Sequence, residues 1–123
     1  MARFHDVVFD CAHPASLARF WAAAVDGYAV APYDEAELAR LRANGVDDPE
    51  DDPTVLVEGG GPRLWFQRVP EPKAVKNRVH LDLLADDLDA EVARLLALGA
   101  TVVSRHEDRT VLADPEGNEF CLA

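Results

Sequence analysis

His80 and Asp82 stand two residues apart in a stretch, Arg78 to Leu84, that reads as a β-strand. Alternate residues of a strand share a face, so the imidazole and the carboxylate are expected side by side. An imidazole titrates near neutrality, which makes His80 a candidate general base or metal ligand. The competing reading of His80 is a half-buried ring hydrogen-bonded to Gln67 or Asp82. The same period-two spacing joins Trp65 to Gln67 and Glu119 to Cys121. An indole at position 65 can stack on a planar ligand or simply line a cavity. Asp10 and Asp82 are polar strand residues that either bind a polar ligand or sit solvated. The thiol of Cys121 is a nucleophile only if a nearby base removes its proton, and His80 is the candidate for that task. His5, His13 and His106 are read as ordinary structural or surface histidines.

Two further clusters carry less chemistry than their composition suggests. The run Asn44-Gly45-Val46-Asp47-Asp48-Pro49-Glu50-Asp51-Asp52-Pro53 holds five carboxylates. Carboxylates are calcium ligands, but the run lacks the Gly-centred, Glu-terminated spacing of an EF-hand. With its prolines and glycine it is expected to be a mobile, solvated loop. Gly59-Gly60-Gly61 is followed by Pro62-Arg63 rather than by a Lys-Ser/Thr pair and a helix, so it reads as a hairpin turn, not a phosphate loop.

These residues must be positioned by regular elements, and the chain repeats one set of them. Arg3 to Cys11 alternates as a strand, with Val7, Phe9 and Cys11 on one face and Asp6, Val8 and Asp10 on the other. His13-Pro14 turns the chain into a helix, Ala15 to Val25, whose Leu17, Phe20, Trp21 and Ala24 recur at helical spacing. Tyr28 to Pro32, Thr54 to Glu58 and Arg63 to Val69 read as three strands. An extra helix over Asp34 to Ala43, capped by Asp34, and the acidic loop interrupt them. After the linker Pro70-Glu71-Pro72-Lys73 comes a strand over Arg78 to Leu84, then a helix from Asp87 or Asp89 to Leu98, stopped by Gly99. Thr101 to Ser104, Arg109 to Ala113 and Glu119 to Leu122 follow as strands, with Asp114-Pro115-Glu116-Gly117-Asn118 as the last turn. Each half is strand, helix and three strands. The expectation is an α+β fold of two paired βαβββ modules, residues 1–70 and 77–123, with only the first carrying an insertion over 33–53. Val7, Phe9, Leu17, Phe20, Leu64, Phe66, Val79, Leu81, Leu83, Val92 and Leu95 are the expected core. Two such curved sheets facing each other, helices outside, would enclose a cavity of the kind that holds small molecules.

The residues that mark these elements also carry a resemblance. Val7-Val8-Phe9-Asp10-Cys11, His13-Pro14, Leu17-Ala18-Arg19-Phe20-Trp21 and Gly27-Tyr28 are similar to the opening of glyoxalase-like domains. So is Phe66-Gln67-Arg68-Val69-Pro70-Glu71-Pro72-Lys73, and Lys76-Asn77-Arg78-Val79-His80-Leu81-Asp82-Leu83 resembles their mid-chain strand. Ala93 to Ala100 and Asp114-Pro115-Glu116-Gly117-Asn118-Glu119-Phe120 are similar to the closing helix, turn and strand. The chain thus resembles the vicinal oxygen chelate superfamily, which includes glyoxalase I, extradiol dioxygenases, fosfomycin-resistance proteins and bleomycin-binding proteins. The resemblance implies one glyoxalase-like domain over residues 1–123, and a homodimer. It also implies where a metal would sit in such a domain: on the first and last strand of each module. Those positions fall here on Asp6, Gln67, His80 and Cys121, with Glu119 as a substitute for the last. The first-strand histidine and last-strand glutamate common among relatives are absent. A site for zinc, nickel, manganese or iron is therefore degraded, and no cofactor is expected.

Charge removes other classes of function. Lys+Arg is 12 and Asp+Glu is 23, a formal net charge of −11, which repels nucleic-acid backbones and anionic membranes. The N-terminus lacks a signal-peptide h-region, no apolar run is long enough to span a bilayer, and Cys11 and Cys121 are read as thiols of a cytoplasmic protein. The expected partner is a small molecule. The expected function is metal-free binding of a polar or partly aromatic metabolite or drug, with Asp6, Trp65, Gln67, His80, Asp82 and Cys121 as ligand-binding residues and His80 as the base of any catalysis. The alternative is a metal-dependent lyase, isomerase or dioxygenase of the glyoxalase type. A third reading is an interaction module, accessory to another enzyme.

Overall fold

A computed structural model describes all 123 residues and divides them into two compact units, Met1–Pro72 and Lys73–Ala123. The first contains β1 (Asp6–Cys11), α1 (Pro14–Ala24), β2 (Ala29–Val30), α2 (Glu35–Ala43), a 3-10 turn (Pro49–Asp51), β3 (Thr54–Glu58) and β4 (Arg63–Arg68). The second contains β5 (Asp82–Leu83), α3 (Leu88–Leu98), β6 (Thr101–Arg105), β7 (Thr110–Ala113) and β8 (Glu119–Leu122). The two sheets have the same wiring. Strand order is β1-β4-β3-β2 in one and β5-β8-β7-β6 in the other, each with one parallel pair, β1 with β4 or β5 with β8. The α+β repeat of two βαβββ modules is present, and only the first unit carries α2 and the 3-10 turn.

In the first unit the core forms where α1 meets the sheet. Pro14 starts the helix at a position that needs no N–H donor, and Leu17, Ala18, Phe20, Trp21 and Ala24 are buried along one stripe. Phe9 of β1 lies 5.2 Å from the Trp21 ring and 4.9 Å from the Phe66 ring, fixing which sheet face receives the helix. The opposite face then carries Asp6, Val8 and Asp10, registered beside Arg63, Trp65 and Gln67. The Gly59-Gly60-Gly61 turn joins β3 to β4 as the hairpin reading expects. Glycine is required at 59 because a Cβ there would lie 2.5 Å from the Tyr28 ring, whose hydroxyl donates to the Pro62 carbonyl at 2.8 Å.

The insertion is more ordered than its composition suggests. Asp34 caps α2 as expected, accepting from the Glu37 N–H at 2.8 Å. The acidic run was expected to be a mobile, solvated loop, but it folds into the 3-10 turn and is tied down at two points. Arg19 of α1 grips Glu50 with both guanidinium nitrogens, at 2.7 and 2.9 Å. Asp52 is buried, held by the Tyr33 hydroxyl and the Thr54 N–H.

In the second unit α3 starts behind Asp87, which caps the Ala90 N–H, and ends at Gly99, whose φ of 117° suits glycine. Val92, Leu95, Leu112, Phe120 and Leu122 are buried. The strand expected over Arg78 to Leu84 is cut to Asp82–Leu83, and Val79, expected in the core, is 75% exposed. The register explains this. Asp82 pairs with Cys121, so position 79 would need a partner near Asn118, where the chain is already in its turn. Ladder hydrogen bonds begin only at the Leu81 carbonyl, which accepts from the Cys121 N–H at 3.0 Å. No helix is long and apolar enough to cross a membrane.

Candidate functional site

The sheet face of the first unit that α1 leaves uncovered is polar and aromatic. Arg63 and Asp6 sit opposite each other in the parallel β1–β4 register and form a two-pronged ion pair, Nε to Oδ1 at 2.8 Å and Nη2 to Oδ2 at 3.1 Å. The Trp65 indole N–H donates to the same Oδ2 at 3.2 Å, and the His5 ring stands 3.0 Å from it. The guanidinium hydrogen bond, with His5 and the positive charges behind both, holds the Asp6 carboxyl below its usual range. Arg63 also lies over the Trp65 ring, 5.7 Å from its centre. Two residues further along, the Gln67 amide donates to Asp10 at 2.7 Å.

Beside this face the insertion adds a wall. Tyr33, Glu37, Arg40 and Asp52 from the insertion, with Leu56 and Trp65 from the sheet, line a cavity of about 540 Å3, a size that suits a small molecule. Tyr33 donates to Asp52 at 2.7 Å. Burial, and the neighbouring carboxylate that favours the protonated phenol, push the Tyr33 hydroxyl well above the usual phenol range.

The second unit gathers three of the expected residues. His80 Nε2 lies 3.3 Å from Asp82 Oδ1, and the donor atoms of His80, Asp82 and Cys121 all fall within 4.8 Å of one another. Parallel pairing of Asp82 with Cys121 produces this cluster, and its carboxylate is largely open to solvent. Neither Cys11 nor Cys121 is in a disulfide.

Glu119 does not join the cluster. Its carboxylate accepts from the Asn77 N–H and from Lys73 Nζ, both at 3.0 Å, and these bonds lower its pKa to about 2. A depressed carboxylate pKa stabilises the fold where the unfolded chain is already ionised, above about pH 4.5, and that contribution is lost as the pH falls through about 2. Glu119→Gln is therefore expected to lower the melting temperature by a few degrees at neutral pH. The gap between variant and parent should close between about pH 4.5 and 2 in a series of thermal melts. A gap constant across that range would show that the ionised carboxylate contributes nothing.

Residues 6–123 match the glyoxalase-like domain family. The chain belongs to that family. It is a glyoxalase-like domain of the vicinal oxygen chelate superfamily. Comparison with curated proteins gives no significant match. Among solved structures, a glyoxalase/bleomycin resistance protein/dioxygenase family enzyme from Burkholderia phytofirmans PsJN is similar, with a TM-score of 0.67 and 18% identity, over 98% of this chain and 97% of that one. The fosfomycin resistance protein FosX from Mesorhizobium loti gives 0.66 and 12% identity, over 99% and 90%. A possible glyoxalase from Bacillus cereus gives 0.67 and 12%, over 99% and 98%. At these identities the likeness is one of fold.

Divalent metals are common among glyoxalase-like proteins, so the donors of this glyoxalase-like domain need a test of fit. Asp6 does not suit a cation centre, because a guanidinium already neutralises its carboxylate and an indole N–H takes a further lone pair. Gln67 is neutral, which makes its side-chain oxygen a weak ligand for a hard cation, and its amide nitrogen is tied to Asp10. His80, Asp82 and Cys121 are the residues whose donor atoms stand together without a basic partner of that kind. Three residues of the polar faces escaped the sequence reading: Arg63, Tyr33 and Asp52. Arg63 was within reach, since it lies two places before Trp65 and shares its face by the rule that linked 65 to 67. Tyr33 and Asp52 had no such signal, because a loop brings them together.

Proposed function

We propose that this glyoxalase-like protein binds a polar, partly aromatic small molecule, a metabolite or a drug, without a functional metal. The reading rests on Asp6. Its carboxylate occupies a position where relatives place a metal ligand, yet it is spent on Arg63 and on orienting the Trp65 indole. That arrangement gives a prepaid set of polar groups around an aromatic ring, which suits direct recognition of an organic ligand. Trp65, Gln67 and Asp6 of the first unit, and His80, Asp82 and Cys121 of the second, are the proposed ligand-binding residues. His80, beside Asp82, is the group that would take up a proton were the ligand also a substrate. The fosfomycin resistance role of one structural neighbour supports a drug-handling reading. We also propose a cytoplasmic homodimer, with light scattering at tens of micromolar expected to give twice the monomer mass. A monomer mass would overturn that assembly.

Elemental analysis and thermal shift test the reading together. Protein purified without a metal-recruiting tag is expected to carry far less than one divalent ion per chain, and chelator is expected to leave its melting temperature unchanged. A metabolite and antibiotic screen in chelator should yield a stabilising ligand, worth about 2.7 kcal/mol at a hundredfold excess over Kd. Stoichiometric metal would instead favour a metal-dependent lyase, isomerase or dioxygenase. The proximity of His80, Asp82 and Cys121 is the observation on that side.

A further inference from the structure

The insertion places a buried carboxylate beside a cavity, and no basic side chain is hydrogen-bonded to it; Arg40 acts on it only through space. Asp52 is 2% exposed, and its carboxylate takes one O–H and one N–H, from Tyr33 and Thr54. Buried carboxylates ordinarily have a cation against them. Arg40, the basic side chain on the same cavity wall, is held instead by Glu37, Nε to Oε1 at 3.1 Å. Asp34, Glu37 and Asp52 line the cavity against the single cation Arg40, so carboxylates outnumber cations in its lining. Leu56 and Trp65 add an apolar and aromatic part to the same lining. A lining that is both negative and aromatic, in a chain of net charge −11, draws in organic cations and repels anions.

We propose that this cavity binds an organic cation with a flat body, its protonated amine or amidinium directed to Asp52 and Glu37 and its flat part lying on Leu56 and Trp65. The proposal rests on the small-molecule reading above and names the chemical class of the ligand. An anion recruited by Arg40 is disfavoured, because it must first displace Glu37 and then face three carboxylates. The ring of Trp65 already accommodates the Arg63 guanidinium at 5.7 Å, so it stands where a positive charge is stabilised.

Three tricyclic probes of one shape test the charge: proflavine as cation, acridone as neutral body and acridine-9-carboxylate as anion. Each is titrated into the whole protein by calorimetry at low and high salt. Proflavine is expected to bind, more weakly at high salt, and the other two to bind at least about tenfold less well. Glu37 and Arg40 lie on the surface of α2, so their variants should retain the fold. Glu37→Gln should weaken proflavine about three- to tenfold, and Arg40→Gln should tighten it by a similar factor. Asp52→Asn should weaken it most. If that variant fails to fold, the opposite signs at positions 37 and 40 still decide. Acridone or the carboxylate binding as tightly as proflavine, with loss on Trp65→Ala, would overturn the cation inference and leave the small-molecule role standing. Proflavine binding that ignores both α2 variants would place it elsewhere and overturn the site. Absence of binding by all three probes would overturn the inference alone, since the metabolite screen judges the broader role.

Discussion

Replacing Phe66 with alanine is expected to cost about 3–5 kcal/mol, a large part of the roughly 5–15 kcal/mol that holds a domain together. Phe66 is fully buried in β4, between β1 and β3, and its ring touches Phe9, which in turn touches Trp21 of α1. Truncation removes the ring that anchors this stack to β4, and the flanking strands cannot close on the void without breaking their ladder. Urea denaturation should show a lower midpoint with an unchanged slope. Phe66→Leu keeps most of the volume and should cost less than about 1.5 kcal/mol. Equal losses for the two variants would mean that the ring stack, rather than the filled volume, carries the stability. The effect extends to the site, because Trp65 and Gln67 leave β4 on either side of Phe66 and project from its other face.

Asp114→Ala should be nearly as damaging, at about 3 kcal/mol. The Asp114 side chain is 3% exposed and gathers the turn between β7 and β8 onto itself. It accepts from the Glu116 N–H at 2.9 Å, from the Asn118 N–H at 3.0 Å and from the Asn118 amide at 2.8 Å. Hydrogen bonds to a carboxylate are stronger than neutral ones, and alanine removes them all at once. Asp114→Asn retains one acceptor oxygen and should lose about half as much. Chemical denaturation gives the size of the loss, and hydrogen exchange at Phe120 and Leu122 gives its location. If those amides keep their protection, the turn does not set the register of β8. That register is what brings Cys121 opposite Asp82.

The sequence was most readable where a local rule acts alone. The Asp34 cap, the Gly99 stop and the triple-glycine hairpin each depend on a few neighbouring residues and are legible, while the sequence leaves Asp87 and Asp89 as alternatives for the cap that Asp87 makes. The repeat was legible because two halves followed the same order of periodicities. Alternation also placed Asp6 and Asp10 on one face of β1, and Trp65 and Gln67 on one face of β4. It could not say that the two faces coincide, because a parallel register between strands 57 residues apart leaves no local trace. For that reason Asp6 was read as a ligand or metal group rather than as the partner of Arg63. The strand around Val79 was overextended, since its length is set by where β8 begins and not by its own residues. The acidic run was read as solvated because composition counts charges without showing that Arg19 and Tyr33 reach them.

The two ties on the insertion bear on how fast a ligand comes and goes. A wall fixed to α1 through Arg19 and Glu50, and to the sheet through Asp52 and Thr54, has no need to swing open before a ligand enters. Association of the proposed ligand is then expected to be a simple second-order step whose rate rises linearly with ligand concentration, without the plateau that a slow gating motion imposes. Differences in affinity among ligands of one charge would accordingly reside in their residence times.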